Sequence, residues 1–252
     1  MGWSTIDKIV VRGHDLPNEL IGQIDLGSMA FLEIMGRRPT VREADVFNAL
    51  LVTLVEHGMT PQAIATRMIS AAAPEALQAA VAAGLCGVGS VFAGGSEQCA
   101  KILHEALKDG PGDHDLVKIA ADLVESYVSR KTVIPGIGHP VHKPVDPRAE
   151  RMIALARQRG VAGRSVEAAL ALTKAAAATW GKPLPMNVSM TIAATLRDVG
   201  VPPGLIRAAP ILARTAGLIA HCIEEAETPI GFLMASKGEE AILHSADADG
   251  AA

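Results

Sequence analysis

The chain has 252 residues, of which 49% are hydrophobic, and a formal net charge of −4. This length and composition allow a sizeable buried core in one large domain or two unequal ones. Because the charge balance is acidic and no basic cluster is present, there is no electrostatic basis for binding nucleic acid or an anionic membrane, and neither is expected as a partner.

The chain start and the cysteines indicate a cellular location. The first ten residues, MGWSTIDKIV, lack the apolar core of a signal peptide, and no uninterrupted apolar run reaches the roughly 20 residues that span a bilayer. Cys86, Cys99 and Cys222 are odd in number and widely spaced, which indicates buried thiols in a reducing compartment. We therefore expect a cytoplasmic protein.

The predicted elements are almost wholly helical. Residues 8–11 have the only convincing strand pattern, near the N-terminus. Over residues 41–57, apolar side chains recur with the 3.6-residue period of an amphipathic helix. Comparable runs, bounded by glycine and proline, predict helices at about 61–72, 74–88, 96–108, 114–130, 148–159, 164–180, 188–199 and 203–225. The sequence therefore predicts an all-α protein.

Residues 135–149, PGIGHPVHKPVDPRA, hold the most chemically informative pattern of the chain. Two glycines before His139 allow a sharp turn and close approach of a ligand to the main chain, and imidazole titrates near neutral pH. Pro147 is well placed as the first residue of the next helix. Lys143 and Arg148 are cations that can meet phosphate or carboxylate groups. The alternative is a proline- and glycine-rich connector with a surface histidine.

This segment resembles the Gly-x-Gly-His-x-Val-x-x-x-x-Asp-Pro-Arg signature of the citrate synthase superfamily, which includes citrate synthases, citryl-CoA lyases and the C-terminal module of ATP-citrate lyase. Further matches follow the family's order over roughly residues 7 to 234. They are GRRPT at 36–40, EHG at 56–58, GSVFAGGSE at 89–97, PMNVS at 185–189 and RTAGLIAH at 214–221. Such an ordered set is more specific than any single motif.

The resemblance implies a citrate synthase-like all-α fold made of two helical domains. The larger would comprise residues 1–96 and 189–252, and the smaller, residues 97–188, would close over the substrate and exclude water. The resemblance also implies a homodimer or higher homo-oligomer. Its expected ligands are an acyl-CoA thioester, with coenzyme A as the acyl carrier, and a small keto or hydroxy acid.

The resemblance also assigns site residues. His139 is expected to donate or accept the proton on the carbonyl or hydroxyl oxygen. His57 and Arg214 match the family's hydroxyacid-binding histidine and arginine. Read without the family, His57 is a helix C-terminal histidine that interacts with the helix dipole. The remaining assignments are Gly94, Gly95 and Asn187 for substrate contact, and Lys143, Arg148 and Gly138 for coenzyme A.

The glycine-rich turn departs from the synthase pattern. Alignment on Gly94 and Gly95 puts Ala93, next to Phe92, where a synthase has its enolate-stabilising histidine. Neither side chain can donate a hydrogen bond, and lyase members of the family also lack that histidine. The change favours a lyase. The other interpretation is a tight turn between helices, in which the N–H groups of the two glycines serve as donors.

Two further departures concern the substrate. Ser189 stands where the family has the aspartate that moves a proton at carbon, and serine is too weakly basic to do so unaided. Pro140 replaces the arginine that lyases place after the motif histidine, which removes a carboxylate clamp. Both changes argue against citrate itself as an efficient substrate. They are compatible with a different 3-hydroxyacyl-CoA, with a proton step taken by another residue or a water, or with loss of the reaction.

The predicted reaction is retro-aldol cleavage of a 3-hydroxyacyl-CoA, citryl-CoA or an analogue, to acetyl-CoA or another acyl-CoA and a carbonyl product such as a keto acid. His139 or His57 would take the hydroxyl proton, and Ser189 or a water that it holds would relay the proton that quenches the enolate. A condensing enzyme with an unusual acceptor and a non-catalytic CoA-binding subunit are the alternatives.

Other candidate sites are weaker. His221 lies on an apolar helix face, which is typical of a core histidine, and His142 would point away from His139 in an extended segment. No histidines or carboxylates have a convincing metal-ligand spacing. The glycines at 87 and 89 lack the preceding strand and third glycine of a nicotinamide or flavin fingerprint. No metal, nicotinamide or flavin is therefore expected.

Overall fold

The computed structural model of the protein describes residues 2–89, 94–108 and 115–249, with side chains described up to residue 242. A small antiparallel sheet opens the chain, in the order β1 (Gly2–Ser4), β2 (Ile9–Val11) and β3 (His14–Asp15). The strand predicted at residues 8–11 is β2, and it is confirmed. Its two neighbours have three and two residues, too few to give a periodic signal.

Helices make up most of the described chain, and the all-α prediction is confirmed. The described ranges contain α1 (Leu26–Met35), α2 (Val41–Val55), α3 (Pro61–Ala72), α4 (Leu77–Cys86), α5 (Gly95–Ala106), α6 (Leu116–Ser129), α7 (Pro147–Gln158), α8 (Arg164–Trp180), α9 (Val188–Asp198), α10 (Ala208–Glu227) and α11 (Gly231–Asp249). A short π-helical turn covers Leu16–Leu20, and a 3-10 turn at Pro203–Leu205 precedes α10. The sequence did not predict α1 or α11.

Local chemistry explains where several of these helices begin. Side chains before the first turn accept hydrogen bonds from its N–H groups, which otherwise have no partner within the helix. These caps are Asp25 for α1, Thr60 for α3, Asp115 for α6, Asp146 for α7 and Asn187 for α9. In α3 and α7 a proline follows the cap, where its missing N–H costs nothing.

The chain forms two compact units. The first comprises Met1–Thr53 with Ala93–Ala209, and the second comprises Leu54–Phe92 with Pro210–Ala252. In the first unit α9 packs against α5, α7 and α8, and its residues from Met190 to Leu196 are buried. In the second unit α3 packs against α4 and α11, and a cluster on α4 and α10 includes Val81 and Leu218. The predicted division at residues 97–188, drawn from domain closure in the family, stays a prediction.

One described stretch, Pro203–Glu227, is by length and composition apolar enough to cross a membrane, although Arg207 and Arg214 interrupt it. Half of its most apolar window is buried inside the protein. The helix also carries buried polar side chains at Arg214, His221 and Glu225. A core helix has these properties, and that is how we interpret α10.

The three cysteines are free thiols. Cys99 and Cys222 are buried, as expected, and burial raises the pKa of Cys99 to about 12. Cys86, at the end of α4, is exposed, so the prediction of three buried thiols is wrong at this position. A thiol with so high a pKa as that of Cys99 is a packing residue at neutral pH.

Candidate active site

A short main-chain pairing fixes the histidine loop to the N-terminal end of α9. The N–H of Gly138 donates to the carbonyl of Pro185 at 2.7 Å, and the N–H of Asn187 donates to the carbonyl of Gly136 at 2.9 Å. Between these bonds, Ile137 and Met186 form an isolated antiparallel bridge. The residue after Gly138, His139, is therefore held close to the first turn of α9.

Asn187 joins this loop to the helix through its side chain. Its Oδ1 accepts from the N–H groups of Ser189 at 2.9 Å and Met190 at 3.4 Å, which caps α9. Its Nδ2 donates to the carbonyl of Gly138 at 3.0 Å. The predicted contact between Asn187 and substrate stays a prediction, and the geometry gives this amide a structural task as well.

The two glycines of the loop are needed for different reasons. Gly136 has φ of 86°, and a Cβ there would lie 2.6 Å from Met190 Cβ and 2.7 Å from Cys99 Sγ. Gly138 has φ of 91°, but a Cβ there would meet nothing within 4 Å. Gly136 is thus required by both backbone and packing, and Gly138 by backbone alone.

Replacing each glycine by alanine should separate these two effects. Gly138→Ala is expected to lower the free energy of unfolding by about 1 to 2 kcal/mol, the cost of a left-handed backbone for a residue with a Cβ. Gly136→Ala adds an overpacking cost of about 1 to 3 kcal/mol. Urea unfolding of both variants measures the difference, and equal losses would contradict the close packing of Gly136.

Asp146 links two helix ends beneath the loop. Its carboxylate is 1% exposed and accepts from the N–H of Arg148 at 3.0 Å, which caps α7. It also accepts from the N–H of Val188, the first residue of α9, at 3.2 Å. Burial alone would raise its pKa, but the hydrogen bonds and charge of Arg148 and the N–H of Val188 outweigh burial and hold the pKa below its usual value.

Arg148 is held by the same carboxylate. Its Nε donates to Asp146 Oδ1 at 3.0 Å and its Nη2 to Asp146 Oδ2 at 2.8 Å, a bidentate pair. Nη2 also lies 3.4 Å from His139 Nε2. The predicted role of Arg148 in binding coenzyme A stays a prediction. The structure adds an observed contact, because the guanidinium lies between the Asp146 carboxylate and the His139 ring. Lys143, on the same loop, is exposed.

The hydrogen bonds of His139 determine which ring nitrogen carries the proton. Nδ1 accepts from the main-chain N–H groups of Val141 at 3.1 Å and His142 at 2.9 Å. A nitrogen that accepts two N–H donors cannot itself be protonated, so the neutral ring has its proton on Nε2. Arg148 Nη2 can only donate, so its 3.4 Å contact with Nε2 is not a hydrogen bond in this form of the ring; it is longer than the two bonds to Nδ1, which decide the assignment. His139 is therefore a hydrogen-bond donor through Nε2.

His142 does not point away from His139, so that expectation is wrong. The two rings stack with centroids 4.4 Å apart and planes inclined by 29°. The expectation assumed an extended strand, in which neighbouring side chains alternate between faces. Here the N–H groups of Val141 and His142 both turn back to His139 Nδ1, and this turn brings the rings face to face.

Ser189 lies against the start of α5. A Cβ on Gly95 would be 3.4 Å from Ser189 Oγ, so the hydroxyl faces the first residue of that helix. Gly94, which precedes α5, is buried. Phe92 and Ala93, on which the lyase interpretation of the glycine-rich turn depends, lie outside the described residues.

A cavity of about 390 Å³ adjoins the histidine loop in the first unit, and sequence reasoning missed it. Ile134 and Ile137 of the loop region contribute to its wall, together with Tyr127, Lys131, Trp180 and Lys182. Aromatic faces beside two ammonium groups suit a planar ring that carries phosphate.

His57 and Arg214 lie in the second unit. Glu56 accepts hydrogen bonds from the N–H groups of His57, at 2.7 Å, and Gly58, which fixes the chain where α2 ends. His57 is exposed, whereas Arg214 is 5% exposed. Within the described residues, Arg214 Nη1 is buried without a hydrogen-bond partner, and burial lowers the pKa of this guanidinium while the charge of Glu56 opposes the change. Such a group suits a carboxylate ligand.

His221 belongs to a polar network that the sequence did not predict. The residue is 7% exposed, and its Nε2 lies 3.0 Å from Glu56 Oε2, at ion-pair distance but without the alignment of a hydrogen bond. Buried Arg67 donates to Glu224 and Glu225 at 2.7 Å each. Burial would raise the pKa of Glu56, but the N–H of His57, the charge of His221 and the N–H of Gly58 lower it overall.

This network lines an open groove of about 610 Å³ in the second unit, together with Gly58, Met59, Thr228 and Ile230. Arg67 gave no signal in the sequence, because a single arginine within an amphipathic helix is ordinary. In the described part of the chain, no group of three or more histidine, cysteine or acidic side chains could hold a metal ion.

Comparisons with known proteins agree with this architecture. Residues 23–231 match the profile of the family described as citrate synthase, C-terminal domain. The solved citryl-CoA lyase of Hydrogenobacter thermophilus is 30% identical, with a TM-score of 0.82 over 90% of this chain and 86% of that chain. ATP citrate lyase of Methanothrix soehngenii, solved with citrate and coenzyme A, is 20% identical, with a TM-score of 0.77 over 90% of this chain and 38% of that chain, and shows the fold alone.

Among curated sequences, the glyoxysomal citrate synthase of Cucurbita maxima is 28% identical over 207 residues, which are 79% of this chain and 39% of that protein. Citrate synthase 2 of Bacillus subtilis (strain 168) is 25% identical over 191 residues, 75% of this chain and 49% of that protein. The chain thus spans about half the length of the curated relatives it matches. Because residues 23–231 match this family, the chain belongs to the citrate synthase superfamily, and its structure is similar to that of a citryl-CoA lyase.

Proposed function

We propose that the protein is a carbon-carbon lyase that cleaves a 3-hydroxyacyl-CoA thioester, citryl-CoA or an analogue. The products would be acetyl-CoA or another acyl-CoA and a keto acid or other carbonyl compound. The observation that carries this proposal is the likeness to citryl-CoA lyase, which extends over most of both chains. The expected loss of the synthase histidine at Ala93 supports the same direction.

The chemistry is a retro-aldol cleavage. A base takes the hydroxyl proton, the electrons of the carbon-carbon bond pass to the α-carbon of the thioester, and the resulting enolate receives a proton. The neutral ring of His139 carries its proton on Nε2. This residue therefore suits the task of donating a hydrogen bond to the hydroxyl oxygen of the substrate, on which charge develops as the base removes its proton. His57 stays the other candidate, from the family resemblance alone, for acceptor of the hydroxyl proton.

Ser189 keeps its proposed part in quenching the enolate. Its hydroxyl faces the start of α5, and its N–H is held by Asn187. Serine can pass on a proton, or hold a water that does so, while it cannot act as a base unaided. Gly94 and Gly95 stay candidates for contact with the substrate through their N–H groups.

Coenzyme A is the proposed carrier of the acyl group. The aromatic cavity with Lys131 and Lys182 is suited to the nucleotide part, and Ile137 in its wall is two residues from His139. Lys143 is exposed on the same loop and is proposed to meet a phosphate. For the hydroxy acid, the buried guanidinium of Arg214 supports the binding of a carboxylate.

The lyase and condensing directions require separate tests, because the curated relatives are citrate synthases. Purified protein is incubated with citryl-CoA, and in parallel with acetyl-CoA and oxaloacetate, and all thioesters are identified by mass spectrometry. The proposal expects turnover of a 3-hydroxyacyl-CoA to acyl-CoA as the faster process. Faster condensation would favour the synthase, and tight binding of coenzyme A without any turnover would favour a binding subunit.

We also propose a homodimer. Apolar side chains are exposed on α10 at Ile223, 56%, and on α11 at Phe232, 75%, and Leu233, 57%. Ile223 and Phe232 line one groove, and exposed apolar surface is commonly covered by another subunit. Light scattering at micromolar concentration should give twice the mass of the chain, and a monomer mass would contradict the proposal. The cytoplasmic location stays a prediction.

A further inference from the structure

His142 contacts His139 in two independent ways. Its main-chain N–H donates to His139 Nδ1 at 2.9 Å. Its side chain stacks on the ring of His139, with centroids 4.4 Å apart and an angle of 29° between planes. The first contact survives any substitution at this position except proline, whereas the second depends on the side chain. The two can therefore be separated by experiment.

The stack supplies something that the hydrogen bonds to Nδ1 do not. Two N–H donors fix Nδ1 of the His139 ring, and Arg148 Nη2 lies 3.4 Å from Nε2. These contacts lie at the edge of the ring, and contacts at an edge do not by themselves prevent the ring from tilting about its side-chain torsions. A second ring against its face restricts this motion. Parallel stacking also brings ring faces together, so it does not require a hydrogen bond between the nitrogens of the two rings.

We infer that His142 is a positioning residue, whose ring holds the imidazole of His139 in the orientation that its proposed task requires. This inference rests on the proposed function and deepens it at the same site. The role is that of an aromatic surface and does not use the ring nitrogens of His142. A phenyl ring should therefore replace it, and a methyl group should not.

The test compares His142→Phe with His142→Ala. His104→Ala is the control, since His104 is an exposed histidine in the last turn of α5. With the best thioester substrate of the wild type, His142→Ala is expected to lower kcat by about 10-fold, from the loss of a stacked pair and of correct orientation. His142→Phe should stay within about threefold of the wild type. KM should change little in both, because the proposal concerns orientation.

A spectroscopic readout makes the inference independent of turnover. In protein labelled with 15N-histidine, the signal of His139, assigned by its loss in His139→Gln, reports which ring nitrogen carries the proton. Wild type and His142→Phe should both show a single sharp signal, and His142→Ala, which keeps the main-chain bonds to Nδ1, should show a broadened signal because its ring moves more. If the wild type cleaves no thioester, the proposed function fails, and the spectra still decide the role of His142.

Two results would overturn the inference. One is an unchanged His139 signal and unchanged kcat in His142→Ala, which would make the stack incidental. The other is a phenylalanine variant as impaired as the alanine variant, with activity restored to His142→Ala by added imidazole. That outcome would assign the ring nitrogens of His142 to proton transfer.

Discussion

Replacing His139 by alanine is expected to lower kcat for thioester cleavage by about 10²- to 10³-fold, the usual loss when a donor to a developing oxyanion is removed. Affinity for coenzyme A should stay unchanged, because the proposed nucleotide cavity is formed by other side chains. Initial rates by mass spectrometry and calorimetric titration with coenzyme A measure the two quantities. The two bonds that fix the loop to α9, from the N–H groups of Gly138 and Asn187, do not involve the His139 side chain and should remain. The N–H groups of Val141 and His142 lose Nδ1 as their acceptor in this variant.

His104→Ala serves as control for this substitution as well, and it should retain the wild-type rate. Turnover by His139→Ala at the wild-type rate would mean that the chemistry lies elsewhere. A large loss of coenzyme A affinity in the same variant would contradict the separation of binding from catalysis in this unit.

Replacing Asp146 by asparagine is expected to lower the free energy of unfolding at pH 7 by about 3 kcal/mol, the usual cost of removing the charge of one partner in a buried ion pair. The amide can still cap α7, but it leaves the guanidinium of Arg148 without its carboxylate. Asp115→Asn is the matched control, because Asp115 caps α6 at an exposed position. Its effect should stay within about 0.5 kcal/mol.

The stability difference should depend on pH with a definite sign. Because the pKa of Asp146 is lower in the folded protein, its carboxylate contributes stability that is fully present above the unfolded value of about 3.9. That contribution is lost as the pH falls through the folded pKa. Urea unfolding of wild type and Asp146→Asn should therefore differ most at pH 5 to 7 and converge in strong acid. A difference that does not depend on pH would contradict the ionised state of Asp146.

Sequence periodicity predicted the helices that have one polar and one apolar side. In α2, Val46, Phe47 and Leu50 recur at helical spacing and are buried. The exceptions have physical causes. Apolar residues lie on nearly every side of α1, which leaves no period to detect, and α10 begins later than predicted because a 3-10 turn at Pro203–Leu205 precedes it.

Part of the site could also be predicted from sequence. The positive φ of Gly136 and Gly138 and the helix start at Pro147 follow from the chemistry of glycine and proline. The stack of His142 on His139 and the network of Arg67 with Glu225 could not. Both depend on how segments fold back on each other, and no periodicity or spacing in the sequence records that.

The most direct test of the central claim is mass spectrometry of wild-type protein incubated with citryl-CoA and a panel of 3-hydroxyacyl-CoA thioesters. The account predicts that at least one thioester is cleaved to a shorter acyl-CoA and an equimolar carbonyl product, and that His139→Ala loses this activity. Recovery of every thioester intact, from a protein that binds coenzyme A tightly, would contradict lyase activity. It would favour a non-catalytic subunit, in which Ser189 stands in place of the family's aspartate.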